Sequence, residues 1–528
     1  MATSNAPFHP IIYVRGYAMT LQDQDDATAD PFCGFNLGST TYRAVLDKNK
    51  PARKFIFESP MLRLSSEFAY STVYNNGVDI VDVDWVGEFA YRSVVVYRYY
   101  EEASALLGSG KTPTMEHFAK GLSDLILRVR ELACANVANK ISKDDFRCYL
   151  VAHSMGGLVC RAFLQNPALG ADAARQCVDK LFTYATPHNG IDMADINVPK
   201  WISVDDMNNF NRERMAEYLN VKSLFARTQR VDWLPESAFP SQRCFCMVGS
   251  NRVDYAVAAG LSRAFAGHGS DGLVKIDNAS VWGVDANGNY SAPSATAHAY
   301  RAHTGYFGIV NSEEAYQNLT RFLFGDVRAD VWADIDTVQL PPKLQDQAAN
   351  VNALYQFESL LAARGQRWYL TRRVSEEDSP ACRTHAQLSD VNNAARSIYL
   401  TTAFLANDPR VSARRPTLAY ALTFGVRVPD YEVDHKFWVD GHYEGGYLFR
   451  DTLIVELSPP QPAAQDWIVE LGWQSNQGGN ATSKVNYQSL ANGKIEIKVP
   501  FRSSSAPGIT GQLRFVVSAW NVGGDGYK

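Results

Sequence analysis

An apolar run over Phe146 to Val151 stops at Ala152-His153-Ser154-Met155-Gly156, after which Leu158, Val159, Ala162 and Phe163 recur at helical spacing. A strand that passes into a helix through one serine has a crowded backbone at the turn, and small residues at 152 and 156 relieve that crowding. The small-x-Ser-x-Gly pentad is common by itself. With a strand before it and a helix after it, it has the outline of a nucleophile elbow, a turn that exposes a serine Oγ at the end of a sheet. A serine hydroxyl is a weak nucleophile, so a base and oxyanion donors are expected nearby in space.

At 528 residues the chain exceeds what a single hydrophobic core organises, and two domains are expected. With 46% hydrophobic and 20% charged residues it reads as an ordinary globular protein. The formal charge of -5 gives no reason to expect nucleic acid or an anionic surface as partner. No apolar run approaches the length of a membrane span: Ser93 to Tyr97 is bounded by Arg92 and Arg98 and reads as a strand. Met1 to Pro7 lacks a basic region and an apolar core, so no signal peptide is expected. The eight cysteines are scattered without a CxxC pair, which fits a reducing, cytoplasmic setting, secretion without a visible leader being the alternative.

From Pro10 to about Phe324, short apolar runs alternate with helical patterns, as in an α/β domain with a mostly parallel sheet. The expected strands are Pro10 to Val14, Lys54 to Phe57, Val78 to Asp84, Phe146 to Ala152, Lys180 to Ala185 and Arg243 to Gly249. A long helix is expected over His117 to Ala138, with Phe118, Leu122, Leu125, Ile126, Val129 and Leu132 on one face, and a last helix over Glu313 to Phe324. A boundary is expected near residue 330, giving domains of 8–330 and 331–528. The second is β-rich, with segments from Thr417 to Val428, His435 to Val439, Leu448 to Leu457, Trp467 to Trp473, Lys494 to Val499 and Leu513 to Trp520. Alternation such as Ile495-Glu496-Ile497-Lys498-Val499 predicts a β-sandwich with one buried and one solvated face per sheet.

An elbow serine in an α/β sheet is followed in the chain by an acid and then a histidine. The histidines after Ser154 are His188, His268, His298 and His303; His303 is preferred because its loop opens into the last helix. Asp271, in Gly269-Ser270-Asp271-Gly272-Leu273-Val274, is the preferred acid, since a glycine-flanked carboxylate can turn toward an imidazole; Asp254 is the alternative. Met155 N–H is one expected oxyanion donor. The loop Val14-Arg15-Gly16-Tyr17-Ala18 supplies the other at Tyr17 N–H, Gly16 allowing close approach.

These motifs resemble the α/β-hydrolase superfamily, and over residues 8–325 the lipase- and esterase-like serine hydrolases in particular. The resemblance rests on Arg15-Gly16-Tyr17, the elbow, Ser270 to Val274, His303, and Thr183-Tyr184-Ala185-Thr186-Pro187-His188-Asn189-Gly190. Ala152 stands where glycine is commonest and Arg15 where histidine is usual. The resemblance implies a carboxylic-ester hydrolase with a Ser154–Asp271–His303 triad and no cofactor.

Between Ile191 and Gln242 an insertion rich in Met, Trp, Phe and Tyr is expected to cap the site, which points to apolar acyl esters; transient contact with lipid surfaces is the partner expectation. Phe55 to Tyr74 is a second candidate wall. Asp82 and Asp84 could hold a cation but read better as the solvated edge of a strand, His435 and His442 lack a nearby third ligand with suitable spacing, and no catalytic metal is expected. A phospholipase or lipid acyltransferase would use the same triad, whereas a binding module would not react with a fluorophosphonate.

Overall fold

The computed structural model describes residues 7–16, 40–43, 53–56, 60–73, 88–97, 99, 113–193, 196–197, 207–253, 269–304, 308–407, 418–433, 441–460, 466–476 and 482–521. Two compact units are present: Pro7–Thr296 with Tyr300–Leu319, and Ala297–Ala299 with Thr320–Lys528.

The sheet that carries the elbow has seven strands: β1 (Ile11–Val14), β2 (Ser71–Thr72), β3 (Ser93–Tyr97), β4 (Cys148–His153), β5 (Val178–Tyr184), β6 (Cys244–Gly249) and β7 (Ala295–Ala299). Their order is β7-β6-β5-β4-β1-β3-β2. Every neighbouring pair from β6 to β2 is parallel. Strands β1 and β4 are wholly buried, which explains why they read as unbroken apolar runs rather than as alternation. The elbow strand β4 lies at the centre of the order, between β1 and β5.

Four helices matter for the site: α1 (Pro60–Phe68), α2 (Met115–Ala135), α3 (Met155–Gln165) and α4 (Glu313–Phe324). Helix α2 buries Phe118, Leu122, Leu125, Ile126 and Val129 on one face, and the Thr114 side chain caps its start by accepting from His117 N–H. It stops short of the expected Ala138 because Asn136 takes an extended backbone and its side chain accepts from Ala138 N–H.

Two sequence expectations fall differently, and others lie outside the described residues. Arg53–Ile56 does not join the parallel sheet; it pairs antiparallel with Thr40–Arg43 in a separate hairpin. In Phe55 to Tyr74 the described core is α1, which buries Met61 and Leu64 and leaves Leu62 54% exposed, so it is an amphipathic surface helix. The expected strand Val78 to Asp84, with Asp82 and Asp84, lies outside the described residues, as do His435 to Val439.

The second unit pairs two antiparallel sheets. In one, Ser397–Leu405, Val327–Gln339, Gly508–Ala519, Ile495–Arg502 and Gln488–Ser489 follow in that order. The other runs Thr371–Arg373, Val351–Ala363, Leu418–Val433, Gly441–Ser458, Ile468–Trp473 and Ser483–Lys484, with Ala381–Thr384 also paired to Val351–Ala363. Inward residues of both sheets, among them Val331, Phe515, Phe357, Phe424 and Val455, form one core, which makes the unit β-sandwich-like. No helix among the described residues is long and apolar enough to cross a membrane. Among the described residues, Cys134, Cys148, Cys160, Cys177, Cys244 and Cys246 are free thiols.

His9 makes the first unit pH-sensitive. Its Nδ1 lies 2.8 Å from the Tyr91 hydroxyl, and its ring packs 5.1 Å from that of Tyr149. Burial lowers its pKa from 6.5 to about 4; Asp179 opposes this shift, while Lys180, Arg147 and Arg243 add to it. The unfolded chain therefore takes up a proton near pH 6.5 that the native state refuses until about pH 4. The His9 contribution to stability is complete above pH 6.5 and falls as pH drops through that window, by at most about 3 kcal/mol. Urea midpoints at pH 7 and pH 4.5 should separate for the native chain and by less in His9→Phe, where His153 and His188 still contribute. An equal separation in the variant contradicts this.

Candidate active site

Ser154 occupies the turn between β4 and α3 with φ 51° and ψ -127°, a backbone conformation an L-residue adopts only under constraint. The constraint is visible: Ser154 N–H donates to Tyr184 O at 2.9 Å, and Gly157 N–H donates to Ser154 O at 3.0 Å. Helix α3 then runs hard against β1. A Cβ on Gly156 would lie 2.2 Å from Val14 O, so a side chain there would push the helix off the sheet.

The structure brings Ser154, His303 and Asp271 together. His303 Nε2 lies 2.9 Å from Ser154 Oγ, and His303 Nδ1 lies 2.9 Å from Asp271 Oδ2. All three are buried. The second carboxylate oxygen of Asp271 is fixed by its own loop, with Oδ1 accepting from Leu273 N–H at 3.0 Å and Val274 N–H at 2.8 Å. This Asx turn is the local reason for the Ser-Asp-Gly-Leu-Val sequence. The acid and base loops are also joined through the backbone, His303 N–H donating to Asp271 O at 3.0 Å. An oriented carboxylate, a histidine and a serine in hydrogen-bonded sequence can move a proton from Oγ to the imidazole.

Met155 is the first residue of α3, so its N–H is one of the donors the helix itself leaves unused. Tyr17 lies outside the described residues. The loop leading to it is held close: a Cβ on Gly16 would lie 2.6 Å from Ser154 Cβ, and the Tyr99 hydroxyl donates to Arg15 O at 2.7 Å.

The rival histidines are placed elsewhere. His188 is fully buried, with Nε2 3.1 Å from Thr183 Oγ1 and 3.6 Å from Cys246 Sγ, and burial lowers its pKa. His298 belongs to the second unit, where its backbone N–H donates to Thr371 Oγ1 at 3.0 Å. His268 and Asp254 lie outside the described residues. Of the other metal candidates, His442 falls on the strand Gly441–Ser458. Among the described residues no group of three His, Cys, Asp or Glu side chains is placed to hold a metal ion.

Two further buried residues were not singled out in the sequence. His153 stands beside the serine, with its ring centroid 5.0 Å from that of His303. Arg161, fully buried on α3, donates through Nη1 to His188 O at 2.9 Å and through Nη2 to Val231 O and Trp233 O, both at 2.8 Å, while Nε meets Gln165 Oε1. Its sequence signal is a charge inside an otherwise apolar helix. This fork ties the insertion to the elbow helix. Within the insertion, Phe210, Met215, Tyr218, Leu219, Val231 and Leu234 are buried in the same core as α2 and α3. The described part from 207 to 242 is therefore a packed element of the domain, while Val198 and Trp201 lie outside the described residues.

A central parallel sheet, an elbow at the end of its middle strand, and an acid and a histidine on later loops define an α/β hydrolase. The first unit has that fold. In sequence, residues 79–225 match the PGAP1-like α/β domain, a span that includes the elbow and ends before Asp271 and His303. No curated protein matches the chain. Among solved structures, the mature lipase BlEst2 of Bacillus licheniformis is 15% identical over 58% of this chain and 89% of its own, with a TM-score of 0.28. Phospholipase PlaB of Legionella pneumophila is 11% identical over 83% of this chain and 90% of its own, with a TM-score of 0.30. At these scores the likeness assigns no residue a role.

Proposed function

We propose that the first unit is a serine carboxylic-ester hydrolase, a lipase or esterase, that acts on apolar acyl esters through an acyl-enzyme. The observation that supports this most is the relay of two 2.9 Å contacts from Ser154 through His303 to Asp271, with the serine on a strained elbow. In this reading His303 Nε2 takes the proton from Ser154 Oγ as the oxygen attacks the ester carbonyl. Asp271 holds Nδ1–H and balances the imidazolium. Met155 N–H and Tyr17 N–H receive the oxyanion, which turns negative only as the carbonyl is attacked. The imidazolium then gives its proton to the departing alkoxide, and water repeats the sequence on the acyl-serine, restoring Ser154. No step requires a cofactor.

The apolar acyl preference rests on the composition of Ile191 to Gln242. A series of p-nitrophenyl esters graded by acyl length tests it. If an apolar pocket receives the acyl chain, kcat/KM rises about fourfold per added methylene until the pocket is filled. A profile that is flat or falls from the acetyl ester contradicts an apolar acyl site.

A further inference from the structure

His153 is the last residue of β4 and is only 6% exposed. Its Nε2 lies 3.0 Å from the backbone carbonyl oxygen of His303. A carbonyl can only accept, so the proton sits on Nε2 of His153 and Nδ1 carries the lone pair. The other edge of the ring faces the opposite side of the site, where a Cβ on Gly16 would lie 2.8 Å from His153 Nδ1. The ring therefore stands between the loop that carries the base and the loop that leads to Tyr17.

The effect on His303 follows from what else holds it. Its N–H donates to Asp271 O at 3.0 Å, and Ile309 N–H donates to Ala302 O at 2.9 Å. His153 supplies the hold on the carbonyl side. With both peptide groups of His303 fixed, the backbone cannot rotate about this residue, and its imidazole stays within reach of Ser154 Oγ.

We propose that His153 is a positioning residue: its Nε2–H pins the His303 carbonyl and its ring seats the Gly16 loop, setting the geometry between base, nucleophile and oxyanion loop. The inference rests on the triad reading above. The neutral state it needs is protected. Burial chiefly, then the charges of His303 and Arg15, hold the His153 pKa well below the ordinary histidine value. His153 thus stays neutral when His303 becomes an imidazolium beside it, and no second cation opposes the proton transfer. Asp271 lies on the far edge of His303, at Nδ1, and supplies the one carboxylate in contact with that ring among the described residues.

The test uses the full chain, with a fluorophosphonate as probe of Ser154 and a soluble p-nitrophenyl ester as substrate. His153→Phe keeps a ring of similar size and removes the donor. His153→Gln restores an N–H at about the reach of Nε2. The expected result is a fall on the order of 100-fold in both kcat and the rate of Ser154 labelling for the Phe variant, with KM unchanged and with most of the loss recovered in Gln. A merely structural role would lower the melting temperature of both variants and would not divide kcat from KM. The proposal is overturned if Phe labels at the native rate, or if Gln loses as much as Phe while both remain folded. If Phe does not fold, the Gln variant decides: labelling close to the native rate supports the donor role, and a loss comparable to 100-fold refutes it. Absence of labelling in the native chain has a different meaning, since it removes the triad reading on which the inference stands.

Discussion

Ser154→Ala is expected to lower kcat on ester substrates by on the order of 10⁵- to 10⁶-fold while leaving the fold intact. The size of the effect follows from the way the three side chains act as one unit. His303 and Asp271 serve only to remove and stabilise the Oγ proton, so without Oγ their 2.9 Å contacts have nothing to act on. What survives is the contribution of the oxyanion donors and of substrate binding, roughly 10³-fold over water. The substitution removes one atom at a position whose φ of 51° is imposed by its neighbours, and alanine meets that constraint as serine does. Turnover measured on a soluble ester, with melting temperatures for both proteins, checks the result. Retention of more than about one per cent of kcat would mean that Ser154 is not the nucleophile.

Asp271→Asn is expected to cost about 10⁴-fold in kcat, more than loss of a charge alone would. The reason lies in the two oxygens of Asp271. Oδ1 accepts from two backbone N–H groups, so the amide of asparagine places its oxygen there and turns its NH₂ toward His303. An NH₂ must donate, which forces the lone pair of His303 onto Nδ1 and its proton onto Nε2. A His303 protonated at Nε2 cannot accept from Ser154. The defect therefore appears in kcat and in fluorophosphonate labelling, with KM little changed. A variant that labels within about tenfold of the native rate would show that Asp271 does not set the tautomer.

The elbow was legible in the sequence because every one of its determinants is local: a buried strand, small residues at Ala152 and Gly156, and a helix pattern afterwards. Asp271 was legible for a related reason, since its Asx turn is written in the residues that follow it. His303 and His298 are five residues apart, and local pattern separates them poorly. What separates them is that His298 falls in the stretch Ala297–Ala299, which belongs to the second unit. The role of His153 was not legible at all, because its partner is a backbone carbonyl 150 residues away in the chain. The short run Lys54 to Phe57 read as a strand without showing which strand it pairs with, and a hairpin strand looks the same in sequence as a sheet strand. The same limit applies to the sandwich, where Val327–Gln339 pairs with Gly508–Ala519 across most of the unit's length. The insertion was visible as surplus apolar residues, but only packing reveals that its described part joins the core through Arg161 and Tyr218.

The central claim is that Ser154 is the nucleophile of the first unit. Peptide mass spectrometry of the native full chain after treatment with a fluorophosphonate measures this directly. The account predicts one adduct, on the peptide that contains Ser154, formed in step with loss of ester hydrolysis and absent from Ser154→Ala. An adduct on another residue, or an active enzyme that carries none, would contradict it.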